Sequence, residues 1–179
     1  MLVDHCARGS VARNQIHSNG APGVRIASQA DPSVTDNTIY NGHHCGVLVS
    51  DGGRGTIQGN AVMRNRRAGI KVKSEAAPRV RGNRVHHGFG AGVHVAASGG
   101  GLLESNACFS NEGADLRIEA PPGQCAARAN GGRAVEASDA FARLNTLCAP
   151  LALSSWRSGS LGGLVTLHPA SDPSCLVDY

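Results

Sequence analysis

Aromatic side chains are rare in this chain, which contains 3% Phe, Trp and Tyr although 41% of its residues are hydrophobic. Large rings usually fill much of a globular core, so the interior is expected to be narrow and lined with aliphatic residues. The sequence also lacks any apolar run of 18 or more residues and any leader-like start. We therefore expect no membrane span and no membrane partner.

The cysteines and histidines do not form a recognisable metal or disulfide pattern. The six cysteines include no Cys-x-x-Cys pair. His17 and His86 share one column of the pattern described below, but they share it with Tyr40, Met63 and Phe109, which indicates an amphipathic cover and not a ligand set. This spacing argues against a disulfide framework and a zinc site, so we expect no metal and no cofactor. Free thiols favour a reducing compartment, and we predict a cytoplasmic or nuclear location.

What the sequence does contain is a repeat of 23 residues. An asparagine recurs at this interval, at Asn14, Asn37, Asn60, Asn83 and Asn106. Aliphatic residues recur three positions before each asparagine and two positions after it, except that Cys108 takes the latter place in the last repeat. A fixed period in this range is typical of a solenoid, in which each repeat needs its neighbours to bury its apolar face.

Four repeats also contain a segment of the Gly-Val-x-Val type, whose alternation indicates a half-buried strand, and the last repeat has Asp115 in place of the glycine. The glycine before this strand suggests a corner that needs either a positive φ or a close backbone approach. Asparagine also tolerates the left-handed conformation, and its amides can stack into a ladder between coils. The pattern predicts an all-β right-handed parallel β-helix of about five 23-residue coils, with the five asparagines as a structural ladder.

A longer period of 46 residues overlies the first. One corner alternates glycine and proline, at Gly9, Pro32, Gly55, Pro78 and Gly101, and another alternates asparagine and glycine, at Asn19, Gly42, Asn65, Gly88 and Asn111. The true unit is therefore a pair of coils. Met1-Leu2-Val3 matches Val47-Leu48-Val49 in this register, so we expect the chain to start within a coil and to be the C-terminal part of a longer protein.

The pattern divides the chain into four segments. We predict β-helix repeats over residues 1–119 and a linker over 120–133, because Pro121-Pro122-Gly123 interrupts the period. Helical spacing of apolar residues then predicts an amphipathic helix over 134–153 that caps the last coil. Residues 154–179 show no period and are expected to be a disordered tail.

Basic residues recur at one outward position of the Gly-Val-x-Val strand. This position is occupied by Arg25, Leu48, Lys71, His94 and Arg117 in successive coils. Together with Lys73, two residues after Lys71, the polar members form the predicted partner-binding stripe of Arg25, Lys71, Lys73, His94 and Arg117. Such cations on rigid strands suit an acidic or phosphorylated protein segment. The alternative is that they only solubilise the face and block edge pairing. Nucleic acid is not expected, because the stripe lacks aromatic residues on which bases stack.

Paired carboxylates are absent from the predicted outward columns. Asp31, Asp36 and Asp51 each share a column with basic, small or uncharged residues only. Glycoside hydrolysis needs two carboxylates on one face, and a calcium-dependent lyase needs an acidic cluster. We therefore expect no catalytic residues and no enzyme activity. The alternative is a carbohydrate-active or polysaccharide-binding β-helix whose acidic residues come from further coils.

Four stretches resemble the β-helix region of a known family. They are Asn37-Thr-Ile-Tyr-Asn-Gly-His-His-Cys-Gly-Val-Leu-Val, Gly53-Arg-Gly-Thr-Ile-Gln-Gly-Asn, Arg67-Ala-Gly-Ile-Lys-Val-Lys and Pro78-Arg-Val-Arg-Gly-Asn-Arg-Val-His. Over residues 1–119 the chain is similar to F-box only proteins ten and eleven. The resemblance implies a non-catalytic domain that selects the protein client of a ubiquitin ligase. Contact with the Skp1-cullin complex would require an N-terminal F-box, which this sequence does not contain.

Overall fold

A computed structural model describes residues 1–132 and 134–136 of the chain, the last three by their backbone alone. It contains eighteen short strands and, within these residues, no helix. Sheet 1 consists of β1 (Leu2–Val3), β4 (Val24–Ile26), β7 (Val47–Val49), β10 (Ile70–Val72), β13 (Val93–Val95), β16 (Leu116–Ile118) and β18 (Ala134–Glu136). Sheet 2 consists of β2 (Ser10–Ala12), β5 (Ser33–Thr35), β8 (Thr56–Gln58), β11 (Arg79–Arg81), β14 (Gly101–Glu104) and β17 (Cys125–Arg128). Sheet 3 consists of β3 (Gln15–His17), β6 (Thr38–Tyr40), β9 (Ala61–Met63), β12 (Arg84–His86) and β15 (Ala107–Phe109).

The strands pair in parallel with their equivalents in the next coil. In sheet 1, Val47 lies beside Ile70 and Ile70 lies beside Val93, each 23 residues further along the chain. All three sheets follow this rule through most of their length, which gives about six turns. The prediction of an all-β parallel β-helix is therefore confirmed. No helix in the described part is long and apolar enough to span a bilayer.

The core is a narrow stack of aliphatic side chains between the three sheets. Its fully buried members include Ile26, Ile39, Ile57, Ile70 and Leu103. Burial of one such side chain contributes about 1.5 to 3 kcal/mol, and each coil adds several. Cys108 occupies the inward aliphatic column as a small apolar residue, and burial, aided by the charge of Asp115, raises the pKa of its thiol to about 12.

The asparagine ladder runs through the interior of the stack. Asn60 Oδ1 accepts hydrogen bonds from the backbone N–H and side-chain Nδ2 of Asn37, at 2.9 and 3.0 Å. Asn60 Nδ2 donates in turn to Asn83 Oδ1 at 2.9 Å and to the carbonyl of Val34 at 2.9 Å. The same bonds link Asn14 to Asn37 and Asn83 to Asn106. Each side-chain amide therefore forms hydrogen bonds with backbone N–H and C=O groups that have no β-sheet partner at the corner.

The left-handed residue at this corner precedes the asparagine. The positions before the ladder asparagines all have φ between 50° and 67°, at Arg13, Asp36, Gly59, Gly82, Ser105 and, in the last coil, Ala129. The glycine before the Gly-Val-x-Val strand is needed for the second reason predicted from the sequence, a close backbone approach between coils. A Cβ at Gly69 would lie 2.3 Å from Val85 Cγ1 and 2.8 Å from the Gly92 carbonyl oxygen. Close approach of the coils therefore requires this glycine.

Side-chain packing between coils explains the 46-residue period. Asn65 Oδ1 accepts a hydrogen bond of 3.0 Å from the backbone N–H of Gly42, and a Cβ at Gly42 would lie 2.9 Å from that oxygen. Asn111 and Gly88 repeat the arrangement at 3.0 Å. One coil supplies the amide and its neighbour supplies the space, so asparagine and glycine must alternate.

Asp115 ends this second asparagine column. Its Oδ1 accepts hydrogen bonds from Asn111 N at 3.3 Å and from Asn111 Nδ2 at 2.9 Å. In the preceding pairs of coils, the corresponding acceptor is the side chain of the following asparagine. A carboxylate from the same coil thus takes the place of an amide from the next one.

Replacing Asp115 with alanine is expected to lower the free energy of unfolding by about 2 kcal/mol, because buried donors of Asn111 lose their acceptor. Asp115→Asn keeps an oxygen at this position and should cost about 1 kcal/mol or less. Chemical denaturation of the three proteins measures both values. Equal losses in the two variants would show that this acceptor does not terminate the column.

The coil stack continues past the predicted boundary at residue 119. β17 lies within the segment predicted to be a linker, and it pairs with β14 at a spacing of 24 residues. Asn130 also extends the ladder, because its Oδ1 accepts from Asn106 N at 3.0 Å and Asn106 Nδ2 at 2.9 Å. This coil is one residue longer than the others between Asn106 and Asn130, so a search at 23-residue intervals does not detect it. The predicted helix over 134–153 lies outside the described residues except for its first three, which form β18, and the predicted tail over 154–179 lies outside them entirely.

Candidate binding groove

A groove runs across the outward face of sheet 1. Its lining residues are Arg25, His44, Cys45, Leu48, Arg67, Ala68, Lys71, Lys73, Ala91, His94 and Arg117. The strand register places Arg25, Leu48, Lys71, His94 and Arg117 side by side in successive coils. The structure therefore brings all five residues of the predicted stripe, including Lys73, to one groove.

Sequence reasoning did not identify His44 and Arg67 as part of this groove. They occupy equivalent corner positions in neighbouring coils, and the backbone N–H of Arg67 donates a hydrogen bond to the His44 carbonyl oxygen, with an N to O distance of 3.4 Å. Their spacing of 23 residues was the available signal. The corner just before sheet 1 thus adds a cation and an imidazole to the stripe.

The groove also has an apolar floor. Cys45, Leu48 and Ala68 form a buried cluster separate from the main core, with exposed fractions of 1%, 7% and 7%. Burial is the main influence on the Cys45 thiol and raises its pKa, against the opposing charges of Lys71 and Arg67. The thiol therefore stays protonated near neutral pH and packs as an apolar group.

Carboxylates neutralise the cations at the two ends of the groove. Arg25 lies 3.2 Å from Asp51, and Arg117 lies 2.6 Å from Glu119. Among the described residues, no carboxylate forms an ion pair with Arg67, Lys71 or Lys73. The unpaired positive charge is thus concentrated in the middle of the groove.

His94 and Glu119 influence each other at the C-terminal end. His94 Nε2 lies 3.3 Å from Glu119 Oε1, although the geometry is outside that of a hydrogen bond. Burial lowers the pKa of His94 and Lys71 adds to the effect, while Glu119 opposes it. Burial alone would raise the pKa of Glu119, but His94 and Arg117 together lower it. Glu119 therefore remains ionised and shields this end of the groove.

His44 lines the groove and has one ring nitrogen, Nδ1, that is shielded from solvent. Among the described residues, no group forms a hydrogen bond with its Nδ1. Burial is the main cause of its lowered pKa, and the charges of Arg67, Lys71 and Lys73 lower it further. An anion placed among these cations would oppose their effect and raise the pKa of His44.

On the outward face of sheet 3, the histidines stack on aromatic rings and are not among the residues that line the groove of sheet 1. On sheet 3, His17 stacks on Tyr40 and His86 stacks on Phe109, each with ring centroids 4.9 Å apart. The rings cover one another along the outward column. The described residues contain no group of three or more His, Cys, Asp or Glu side chains arranged to hold a metal ion.

The coil pattern has a counterpart among known protein families. The family model for the right-handed β-helix region matches residues 1–145, which is most of the chain. No curated protein and no solved structure matches the chain. The match agrees with the parallel coils and confirms the handedness predicted from the repeat. The chain therefore belongs to the right-handed β-helix family.

Proposed function

We propose that this β-helix is a protein-recognition domain that binds an acidic or phosphorylated segment of a client protein along the sheet 1 groove. The observation that carries the proposal is the central group of unpaired cations, Arg67, Lys71 and Lys73, beside a buried apolar floor. Cations that only solubilised the face would not need a buried floor between them. Charged hydrogen bonds to an anionic partner are about twice as strong as neutral ones.

The rigidity of the coils supports this role. Lys71 lies on β10, which is paired on both sides by β7 and β13. Lys73 is two residues further along the chain, and its N–H donates to the Val49 carbonyl at 3.0 Å. Side chains at such positions start from fixed backbone sites, so less conformational freedom is lost when a partner binds.

The cellular role that we propose follows from the resemblance of the coils to F-box only proteins ten and eleven. The domain would be the non-catalytic client-binding part of an F-box type ubiquitin-ligase subunit. Its contact with Skp1 and cullin would run through an F-box outside this chain. In this role the groove selects the protein that the ligase modifies.

Affinity capture from cell extract, with the full natural protein as bait, tests this function. We expect Lys71→Glu/Lys73→Glu to lower the recovery of client proteins at least tenfold, because the reversal makes the groove repel acidic segments. Arg79→Glu/Arg81→Glu, on exposed positions of sheet 2, makes the same change in charge elsewhere and is the matched control. Skp1 and cullin should be recovered equally with all three baits.

The two parts of the proposal fail separately. Capture of clients without any ligase component would contradict the ubiquitin-ligase role but leave recognition by the groove intact. Equal loss of clients with both variants would contradict the groove. Matching thermal unfolding curves for the three baits ensure that lost binding does not reflect lost folding.

A further inference from the structure

The centre of the groove brings lining residues of two adjacent coils together. His44 and Arg67 are neighbours at one corner, and Leu48 and Lys71 are neighbours in the strand register. All four therefore lie on two adjacent coils, whose strands are about 4.8 Å apart. One compact charged group can contact both coils at once.

The corner next to Arg67 carries no side chain in the following two coils. Gly90 and Gly113 stand at the positions equivalent to His44 and Arg67. A Cβ at Gly90 would lie 2.8 Å from the carbonyl carbon of Arg67, so the backbone approach excludes any larger residue. The glycines keep the C-terminal side of the corner clear of side chains.

The charge at this point exceeds what one carboxylate neutralises. Arg67, Lys71 and Lys73 have no carboxylate partner among the described residues, whereas each end of the groove has one. A phosphate monoester carries about 1.5 to 2 negative charges and three acceptor oxygens, compared with one charge and two oxygens for a carboxylate. His44 lines the groove beside these cations, and its shielded Nδ1 has no hydrogen-bond partner among the described residues.

The floor beside this site is apolar. Leu48 interrupts the row of polar side chains directly next to Lys71, and Cys45 and Ala68 extend the floor towards the corner. A ligand that lies along the groove therefore meets a charged subsite and an apolar one within neighbouring coils.

We infer that the groove selects a phosphorylated Ser or Thr of a peptide, with the phosphate between His44, Arg67 and Lys71 and an aliphatic residue of the same peptide over Leu48. This inference rests on the proposed function and narrows its ligand from any acidic segment to a phosphopeptide. The neutralised ends at Asp51 and Glu119 limit the strong anion subsite to the centre.

Binding of the complete 179-residue chain to three nine-residue peptide libraries tests the inference. The central residue is phosphoserine, serine or glutamate, and the flanking residues are varied. We expect the best phosphoserine peptides to bind at least thirtyfold more tightly than their serine or glutamate forms, with aliphatic residues enriched beside the phosphate. Arg67→Gln/Lys71→Gln should lower this affinity at least tenfold, while Arg79→Gln/Arg81→Gln on sheet 2 should leave it unchanged.

The outcomes separate the inference from the proposed function. Equal affinity for phosphoserine and glutamate peptides, lost in the groove variant, would overturn phosphate selection and leave acidic recognition standing. No difference between the groove variant and its control would overturn both. Tighter binding to vesicles containing a phosphoinositide than to any phosphopeptide would assign the anion subsite to a lipid headgroup and also overturn the inference. In Leu48→Ser, the enrichment of aliphatic residues should disappear while the preference for phosphate remains.

Discussion

Replacing Asn60 with alanine is expected to lower the free energy of unfolding by about 3 kcal/mol. The change removes the acceptor of two hydrogen bonds from Asn37 and the donor of bonds to Asn83 and Val34. Asn60 is 1% exposed, so water cannot replace these partners without entering the stack. Equilibrium denaturation in urea, monitored by circular dichroism, measures the loss.

Asn14→Ala is the matched control for this prediction. Asn14 is an exposed member of the same ladder, and Asn37 Oδ1 still receives the Asn14 backbone N–H when the Asn14 side chain is removed. Its replacement should cost less than about 1 kcal/mol. If Asn60→Ala were no less stable than Asn14→Ala, the interior of the ladder would not be a main source of stability.

Gly55→Ala is expected to cost about 3 kcal/mol or more, for a steric reason that is independent of the ladder. Gly55 has a φ of +100°, outside the left-handed region that other residues tolerate, and a Cβ would lie 2.5 Å from the Pro32 carbonyl oxygen. The Pro32 ring, 3.0 Å away at Cδ, leaves no room for adjustment. Thermal unfolding of the variant compared with the natural protein measures the effect.

Two other glycines separate the conformational cost of a positive φ from the steric cost of the added Cβ. Gly82 has a φ of +60°, and a Cβ added there would have no atom within 4 Å, so Gly82→Ala should show only the conformational cost of about 1 kcal/mol. Gly20 has neither constraint, and Gly20→Ala should change stability little. We explain the alternation of glycine and proline by the contact of the Pro32 ring with Gly55, which leaves no room for a Cβ. If Gly55→Ala lowered stability no more than Gly20→Ala, this explanation would be wrong.

The repeat made the fold predictable because register is visible in the sequence of a solenoid. Each inward residue recurs beside its equivalent in the next coil, so Val47 and Ile70 could be paired from their spacing alone. The same logic located the outward stripe, because Lys71 and Arg117 occupy one strand position. A residue column in the sequence becomes a line of neighbours in space.

The features that escaped prediction depend on side-chain packing or on a break in the period. Asn130 follows Asn106 by 24 residues, so one insertion removed it from the column. His44 and Arg67 share a corner whose other members are small or glycine, and no charge pattern marked them. The partners of Arg25 and Arg117 were also hidden, because Asp51 and Glu119 lie outside the stripe column.

The division between paired and unpaired cations changes how the stripe is interpreted. In the sequence, Arg25, Lys71, His94 and Arg117 occupy equivalent positions of the repeat and cannot be told apart by their surroundings. In the structure, Arg25 and Arg117 are held by carboxylates, whereas Lys71 and Lys73 have no such partner among the described residues. Exposed ion pairs of this kind contribute little to stability, so their main consequence is to confine the attractive charge to the centre of the groove.

Amide hydrogen exchange of the full protein, with and without a captured client, tests the central claim most directly. If the groove is the recognition surface, protection on binding should appear in residues 44–50 and 67–73 and spare the outward face of sheet 2. Protection centred on sheet 2 or sheet 3, with the groove unchanged, would contradict the account.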